Sequence, residues 1–466
     1  MTEPDSTRLW PLIREALAGS RRDLTAMPLG RAIFVLAVPM VLEMVMESVF
    51  AIADIFWVSK LGPEAVAAVG LTESLMTIVY AIAIGLAMGV GAVVARRIGE
   101  KDPGAAARAA VQAIFIGVAL SAAVGLTGAL LGRSLIALMG GSPAVVAVGG
   151  RYAQVLLGGS ASAILLFLIN AAFRGAGDAA ISMRTLWLAN AINIGLGPLF
   201  VFGLGPFPRL GVTGAAVATT IGRGIGVAYL LATLGRGRGR LAVARAQLRP
   251  DRETLRTILR LAKNGVVQTL IGFTSWIGLV RILSAFGSVP LAGYTIAMRI
   301  VMFALLPSVG LGNAAATLVG QNLGARNPAR AEEAVWTAAR TNLIFLGLVG
   351  MALIATAPLV IRLFSPDAGV IAEGSLCLRV VGLGFGFYAY SIVVSQAFNG
   401  AGDTWTPTLI NLGCFWLGEI PLAAFLARGL SLGPVGAYAS ITAGFSVAAL
   451  VSVALFRRGR WKTVRV

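Results

Sequence analysis

The sequence predicts an all-α polytopic membrane protein, and three observations predict it. Of 466 residues, 57% are hydrophobic and only 12% are charged, about half the charge of an ordinary soluble chain. The charges that remain cluster between apolar runs long enough to cross a bilayer as helices. Those runs also repeat, with the second half of the chain echoing the first.

A span needs about 20 mostly apolar residues. Such runs lie near 32–58, 66–95, 107–132, 152–173, 181–203, 210–234, 257–286, 291–320, 334–364, 371–398, 405–427 and 433–456. Ahead of the first run the chain is polar, unlike a cleaved signal peptide; within it, Leu9 to Leu17 reads either as a short amphipathic helix or as a solvated tail. Basic residues decide the orientation. Of 38 Lys and Arg, 28 fall on the side of the N-terminus, 7 fall on the other, and Arg223, Arg281 and Arg299 remain inside. This bias places both termini in the cytoplasm of a multi-pass protein of the cell's inner (plasma) membrane, and two cytoplasmic termini require an even number of spans.

Phe173-Arg174-Gly175-Ala176-Gly177-Asp178 returns as Phe398-Asn399-Gly400-Ala401-Gly402-Asp403, 225 positions later. Gly99 to Ala113 aligns with Gly324 to Ala338 at the same offset, and Leu210 to Gly222 matches Leu432 to Gly444 at 222. Six spans separate each copy from its partner, so the two six-helix halves form a parallel repeat with the substrate path expected between them. The expected organisation is a cytoplasmic tail (1–31), an N-terminal lobe (32–235), a cytoplasmic connector (236–256), a C-terminal lobe (257–457) and a short cytoplasmic tail (458–466).

Ionisable groups inside a bilayer cost about 2.5–3.5 kcal/mol each on insertion scales, which makes each one a functional candidate. Among the 20 carboxylates, those inside spans are Glu43, Glu47, Asp54, Glu73 and Glu419. At 100° per residue, Glu43, Glu47 and Asp54 fall within about 40° on one face of the first span, along about 16 Å of helix. Pro39 shares that face and removes a backbone bond, so a kink is expected there. The row suits a proton or cation relay, with Asp54, Glu47 and Glu43 as ion-coupling residues. The alternative is that these acids are salt-bridged to Arg281 or Arg299. The chain has no histidine, so proton carriage near neutral pH falls to carboxylates.

Other classes are excluded by what is missing. The net charge of +18 comes without a basic-aromatic groove or nucleic-acid motif, so no nucleic-acid partner is expected. Cys377 and Cys414 both sit in apolar runs, and no Cys/His metal spacing is possible, so neither metal nor cofactor is expected. No Gly-Lys dipeptide exists for a Walker A loop, which removes ATP as the direct energy source. A membrane-embedded enzyme would need a nucleophile or metal motif that the chain lacks. A major facilitator would carry Gly-x-x-x-Asp-Arg after the second span, where this chain reads Ala95-Arg96-Arg97-Ile98-Gly99-Glu100.

The chain resembles the multidrug and toxic compound extrusion (MATE) family from about Arg31 to Lys462. The resemblance rests on Pro39 followed by Ala53-Asp54-Ile55-Phe56-Trp57-Val58-Ser59-Lys60-Leu61-Gly62, on the Phe173 to Asp178 motif, on Asn193-Ile194 ahead of Leu210 to Ala216, and on Val319 to Ala325. It implies a two-lobed V that is open outward and exports cationic or amphipathic molecules in exchange for protons or sodium, as a monomer among membrane lipids. It also implies Asp54 as the coupling aspartate, Pro39 as the bend point, and Asn170, Asn193 and Thr219 as cavity polar residues. Gly197 stands where one branch has a second aspartate. Gly272 and Tyr388 stand near the acids of another branch. A sodium cage needs several oxygen ligands, so these losses favour protons. The alternative is a flippase for lipid-linked oligosaccharide or polysaccharide, which would need several basic cavity residues where only Arg223, Arg281 and Arg299 are available.

Overall fold

Apolar runs with no water to bond their backbone must close every hydrogen bond internally, and this chain does so as helices throughout. The computed structural model describes residues 9–20, 22–237 and 239–466. Met1–Arg8 of the expected tail, with Arg21 and Arg238, lie outside the described residues. Among the described residues the spans run Leu29–Ser59, Pro63–Gly99, Pro103–Leu138, Pro143–Ala176, Ala179–Phe202, Val212–Gly235, Arg252–Phe286, Ser288–Gly324, Pro328–Arg362, then the tenth, followed by Trp405–Gly429 and Pro434–Arg457. The tenth is a pair, Ala368–Gly382 and Phe385–Ala401, bent by 57°. Counting that pair once gives the twelve spans the hydropathy pattern predicts. Pro39 lies inside the first helix, which continues through it.

The segment ahead of the first span is helical over Leu9–Ala18. It is tied down by an ion pair of Glu15 with Arg31 at 2.5 Å and by Arg184, which donates to the carbonyls of Leu17 and Ala18.

The repeat has a local physical meaning. Gly177 and Gly402 close the fourth and tenth spans in the left-handed region, at φ +88° and +87°, where a side chain would be strained. Asp102 and Asn327 cap the third and ninth spans, accepting from the amides of Ala105 and Arg330, which satisfies otherwise unpaired donors. The two motif aspartates then diverge. Asp403 accepts from the amide and hydroxyl of Thr406. Asp178 accepts from the backbone of Arg240 in the connector, so that the connector is bound against the helices rather than left loose.

The halves meet through glycines that mirror one another at the repeat offset. Gly99 packs on Gln321, and Gly324 packs on Arg96; Gly85 packs on Val266, and Gly310 packs on Val41. A Cβ at Gly99 would lie 2.0 Å from the Gln321 carbonyl oxygen, and one at Gly324 would lie 2.2 Å from that of Arg96. Reciprocal contacts of this kind are the signature of a two-fold relation, and small residues are what lets membrane helices approach so closely. Hydrogen bonds reinforce the seam. Arg96 donates to the carbonyls of Ala401 and Val464, Gln321 donates to that of Gly175, and Thr317 donates to that of Arg174. These contacts all lie at the end of the bundle that carries both termini.

The cores do not divide at the connector. Ile33, Leu36 and Met40 of the first span are buried with Leu311, Leu318 and Val393 of the second half, while Ile258 and Leu261 of the seventh are buried with residues of the first half. The first and seventh spans therefore bridge the two bundles.

Adding one methyl at the seam forces neighbouring backbone apart, which costs about 1–3 kcal/mol when a packed site is overfilled. Gly324→Ala is expected to lower the melting midpoint of the purified protein. Gly30→Ala, which meets nothing within 4 Å, is expected to leave it unchanged. Equal midpoints for the two variants would rule out the seam as a stabilising contact.

Candidate functional site

The three acids of the first span occupy one face but three different surroundings. Glu43, nearest the end that carries the termini, is 1% exposed. Its Oε1 accepts from Nη1 of Arg174 at 2.6 Å, while its Oε2 has no partner. Arg174 belongs to the repeated motif in the last turn of the fourth span; the charge count puts it with the cytoplasmic loops, but its side chain turns inward to Glu43. One turn further along, Glu47 is partly exposed and faces Arg223 and Asn190. Asp54, two turns beyond that, is also partly exposed and faces Arg223. The ion partners offered by the spans are thus Arg174 and Arg223, and neither Arg281 nor Arg299 pairs with these acids.

Arg223, on the sixth span, is held by Tyr80 and Phe50. Its Nη1 donates to the Tyr80 hydroxyl at 3.0 Å, and its guanidinium lies 5.7 Å from the Tyr80 ring centre and 5.9 Å from that of Phe50. Cation–π contacts of this geometry steady a cation without neutralising it. Glu47 and Asp54 both lie within the electrostatic reach of this one guanidinium, without a direct ion pair to it. If both acids are ionised, the group carries one uncompensated negative charge.

Glu73 of the second span and Arg299 of the eighth are both exposed, and Glu73 lies within the electrostatic reach of Asp54 and Arg299. These residues lie on the side of the glycine seam away from the termini. Among the described residues no three His, Cys, Asp or Glu side chains converge as a metal site.

The residues taken from the family resemblance lie behind this row. Asn193 donates from Nδ2 to the Thr219 hydroxyl at 2.7 Å, and both are buried. Asn170 is buried with its Oδ1 unpartnered, and its backbone carbonyl accepts from Ser182. None of the three forms a hydrogen bond to an acid of the first span. At Gly197 a Cβ would stand 3.4 Å from the Trp57 indole, so Trp57 fills the space a side chain would use.

Sequence reasoning missed the roles of Arg174 and Arg223. Arg223 had a signal, since it was one of only three arginines left inside the membrane. Arg174 had none, because a charge at a span end reads as loop charge until the fold turns it inward.

Comparison with known proteins is consistent across methods. A family model described as MatE matches residues 39–199 and 266–425. The probable multidrug resistance protein NorM of Thermotoga maritima is 26% identical over 92% of this chain and 92% of its own length. A FAD transporter of Shewanella oneidensis is 28% identical over 87% of this chain and 89% of its own. Among solved structures, the outward-facing conformation of a multidrug resistance MATE family transporter of the MOP superfamily superposes with a TM-score of 0.88 at 28% identity, covering 94% of this chain and 97% of that one.

Removing one partner of a buried ion pair leaves the other charge stranded, a loss of about 3–5 kcal/mol. Arg174→Met is therefore expected to lower the melting midpoint substantially, and adding Glu43→Gln to it is expected to recover part of the loss. Additive losses in the double variant would show that the two side chains act separately.

Proposed function

The chain belongs to the MatE family of multidrug and toxic compound extrusion transporters, and on that premise we propose that it exports cationic or amphipathic molecules by antiport with protons. It is a multi-pass membrane transporter of small molecules and not an enzyme. The reading is carried by one feature, the placing of Glu47 and Asp54 within the electrostatic reach of the single cation Arg223. An uncompensated charge in a poorly solvated site is costly. The group therefore takes up one positive charge, which either a proton or a cationic substrate supplies. Because both would satisfy the same excess charge, each displaces the other, and displacement between two ligands of one site is the basis of exchange.

In this mechanism Asp54, nearer the opening, receives the proton from outside and Glu47 carries it inward. Glu43, committed to Arg174, fixes the lower part of the first span. Pro39 removes a backbone hydrogen bond from the part of that span packed against the second half, four residues before Glu43, which makes it the natural bend point. Asn170, Asn193 and Thr219 line the N-terminal lobe behind the row and hold its helices in register. We place the protein as a monomer in the cytoplasmic (inner) membrane, with lobes 32–235 and 257–457 joined by a cytoplasmic connector, on the strength of the basic-residue bias.

A second reading, export of an anionic cargo, is favoured by Arg299 exposed at the opening and by likeness to a FAD transporter. Counterflow of FAD against counterflow of an organic cation in the same vesicles separates the two.

In proteoliposomes under an imposed pH gradient, Asp54→Asn is expected to abolish drug flux while leaving insertion intact, and dissipating a sodium gradient is expected to leave wild-type flux unaltered. Full activity in Asp54→Asn would sink the coupling assignment. Glu47→Gln is expected to change the pH profile of flux, and an identical profile would reduce Glu47 to a structural role.

A further inference from the structure

Glu419 lies in the eleventh span, 3% exposed. Among the described residues it has no hydrogen bond or ion pair. The backbone around it is wound as a π-helix over Leu412–Glu419, a rare and wider turn that recurs at functional sites.

The repeat explains why the side chain is isolated. Leu210 to Gly222 matches Leu432 to Gly444, so Gly214 and Gly222 of the sixth span correspond to Gly436 and Gly444 of the twelfth. In the first half, Gly214 lies against Phe200 and Val201, and Gly222 lies against Ala189 and Asn193. In the second half, Gly436 lies against Leu426 and Ala427, and Gly444 lies against Glu419, 3.1 Å from its carboxyl oxygen for an added Cβ. Both contacts set the same register, which puts Glu419 in the place of Asn193. Asn193 is satisfied by Thr219. The counterpart of Thr219 is Ile441, which is buried and has nothing to donate.

The titratable groups facing Glu419 are Cys414 on its own span, Tyr294 on the eighth and Tyr388 on the tenth. Behind them lie Cys377 and the Tyr438–Glu373 pair. The seventh span, packed alongside through Ile420 against Gly278, has Arg281 beyond that contact, exposed. Among the described residues no cation faces the carboxyl, and an ionised carboxylate here would be stranded.

We propose that Glu419 is a proton-binding site of the C-terminal half, carrying its proton independently of the acids on the first span. The proton is taken from water and returned to it, with no other bond made or broken. The site goes beyond the antiport reading, because it concerns a different half of the molecule and a different observable.

Infrared difference spectra of the lipid-reconstituted protein, recorded between neutral and alkaline pH, test it. The carbonyl stretch of a protonated carboxyl is expected in wild type and in Glu47→Gln/Asp54→Asn, and is expected to disappear in Glu419→Gln. Ile441→Thr supplies a hydroxyl at the place that Thr219 holds, and is expected to shift the band to lower frequency. A spectrum unchanged by Glu419→Gln overturns the proposal; should that variant fail to insert, an unshifted band in Ile441→Thr does so. Flux in Asp54→Asn bears on the antiport reading alone.

Discussion

The close approach of the second and eighth spans to each other, and to the seventh and first, is the constraint on which the rest of the structure depends. Gly99 against Gln321 and Gly324 against Arg96 bring backbone onto backbone at one end of the bundle. Apolar burial gives helices no net preference for one another inside lipid, so such an interface must come from dispersion at short range and from hydrogen bonds. Both are present, and both occur twice because the chain repeats. These contacts join the halves at the end carrying the termini, and Glu47 and Asp54 lie farther along the first span from that end.

The same seam explains why the first span can act as a moving part. Its lower portion is buried among residues of the second half, through Ile33, Leu36 and Met40, while its upper portion carries Glu47 and Asp54 beside Arg223 of the first half. Pro39 lies within the lower attachment, one residue before Met40. In the proposed mechanism a change in the charge balance at Arg223 would act on the upper portion, and the backbone hydrogen bond missing at Pro39 is where the helix would bend.

The repeat makes the halves equal in backbone but not in chemistry. Asp178 and Asp403 come from the same motif, yet one holds the connector and the other caps a helix. Asn193 and Glu419 take equivalent places, yet one is paired and the other isolated. The first-span row makes the N-terminal half the richer in acids, while Glu419 shows that the C-terminal half also holds a buried ionisable group.

Fold class, number of spans and the parallel repeat were all legible in the sequence, because lipid allows only one solution to backbone hydrogen bonding and apolar runs record it directly. The shared face of Glu43, Glu47 and Asp54 was legible for a related reason: helical periodicity is local. What the sequence could not carry was which cation each acid meets. Arg174 and Arg223 lie 131 and 176 positions from Glu43 and Glu47, and their side chains reach the first span only after the fourth and sixth have packed. The register that sets Glu419 against Gly444 was hidden as well, since the π-wound backbone shifts the eleventh span relative to its counterpart. Partners across helices are decided by packing, and packing is settled only when the whole bundle has formed.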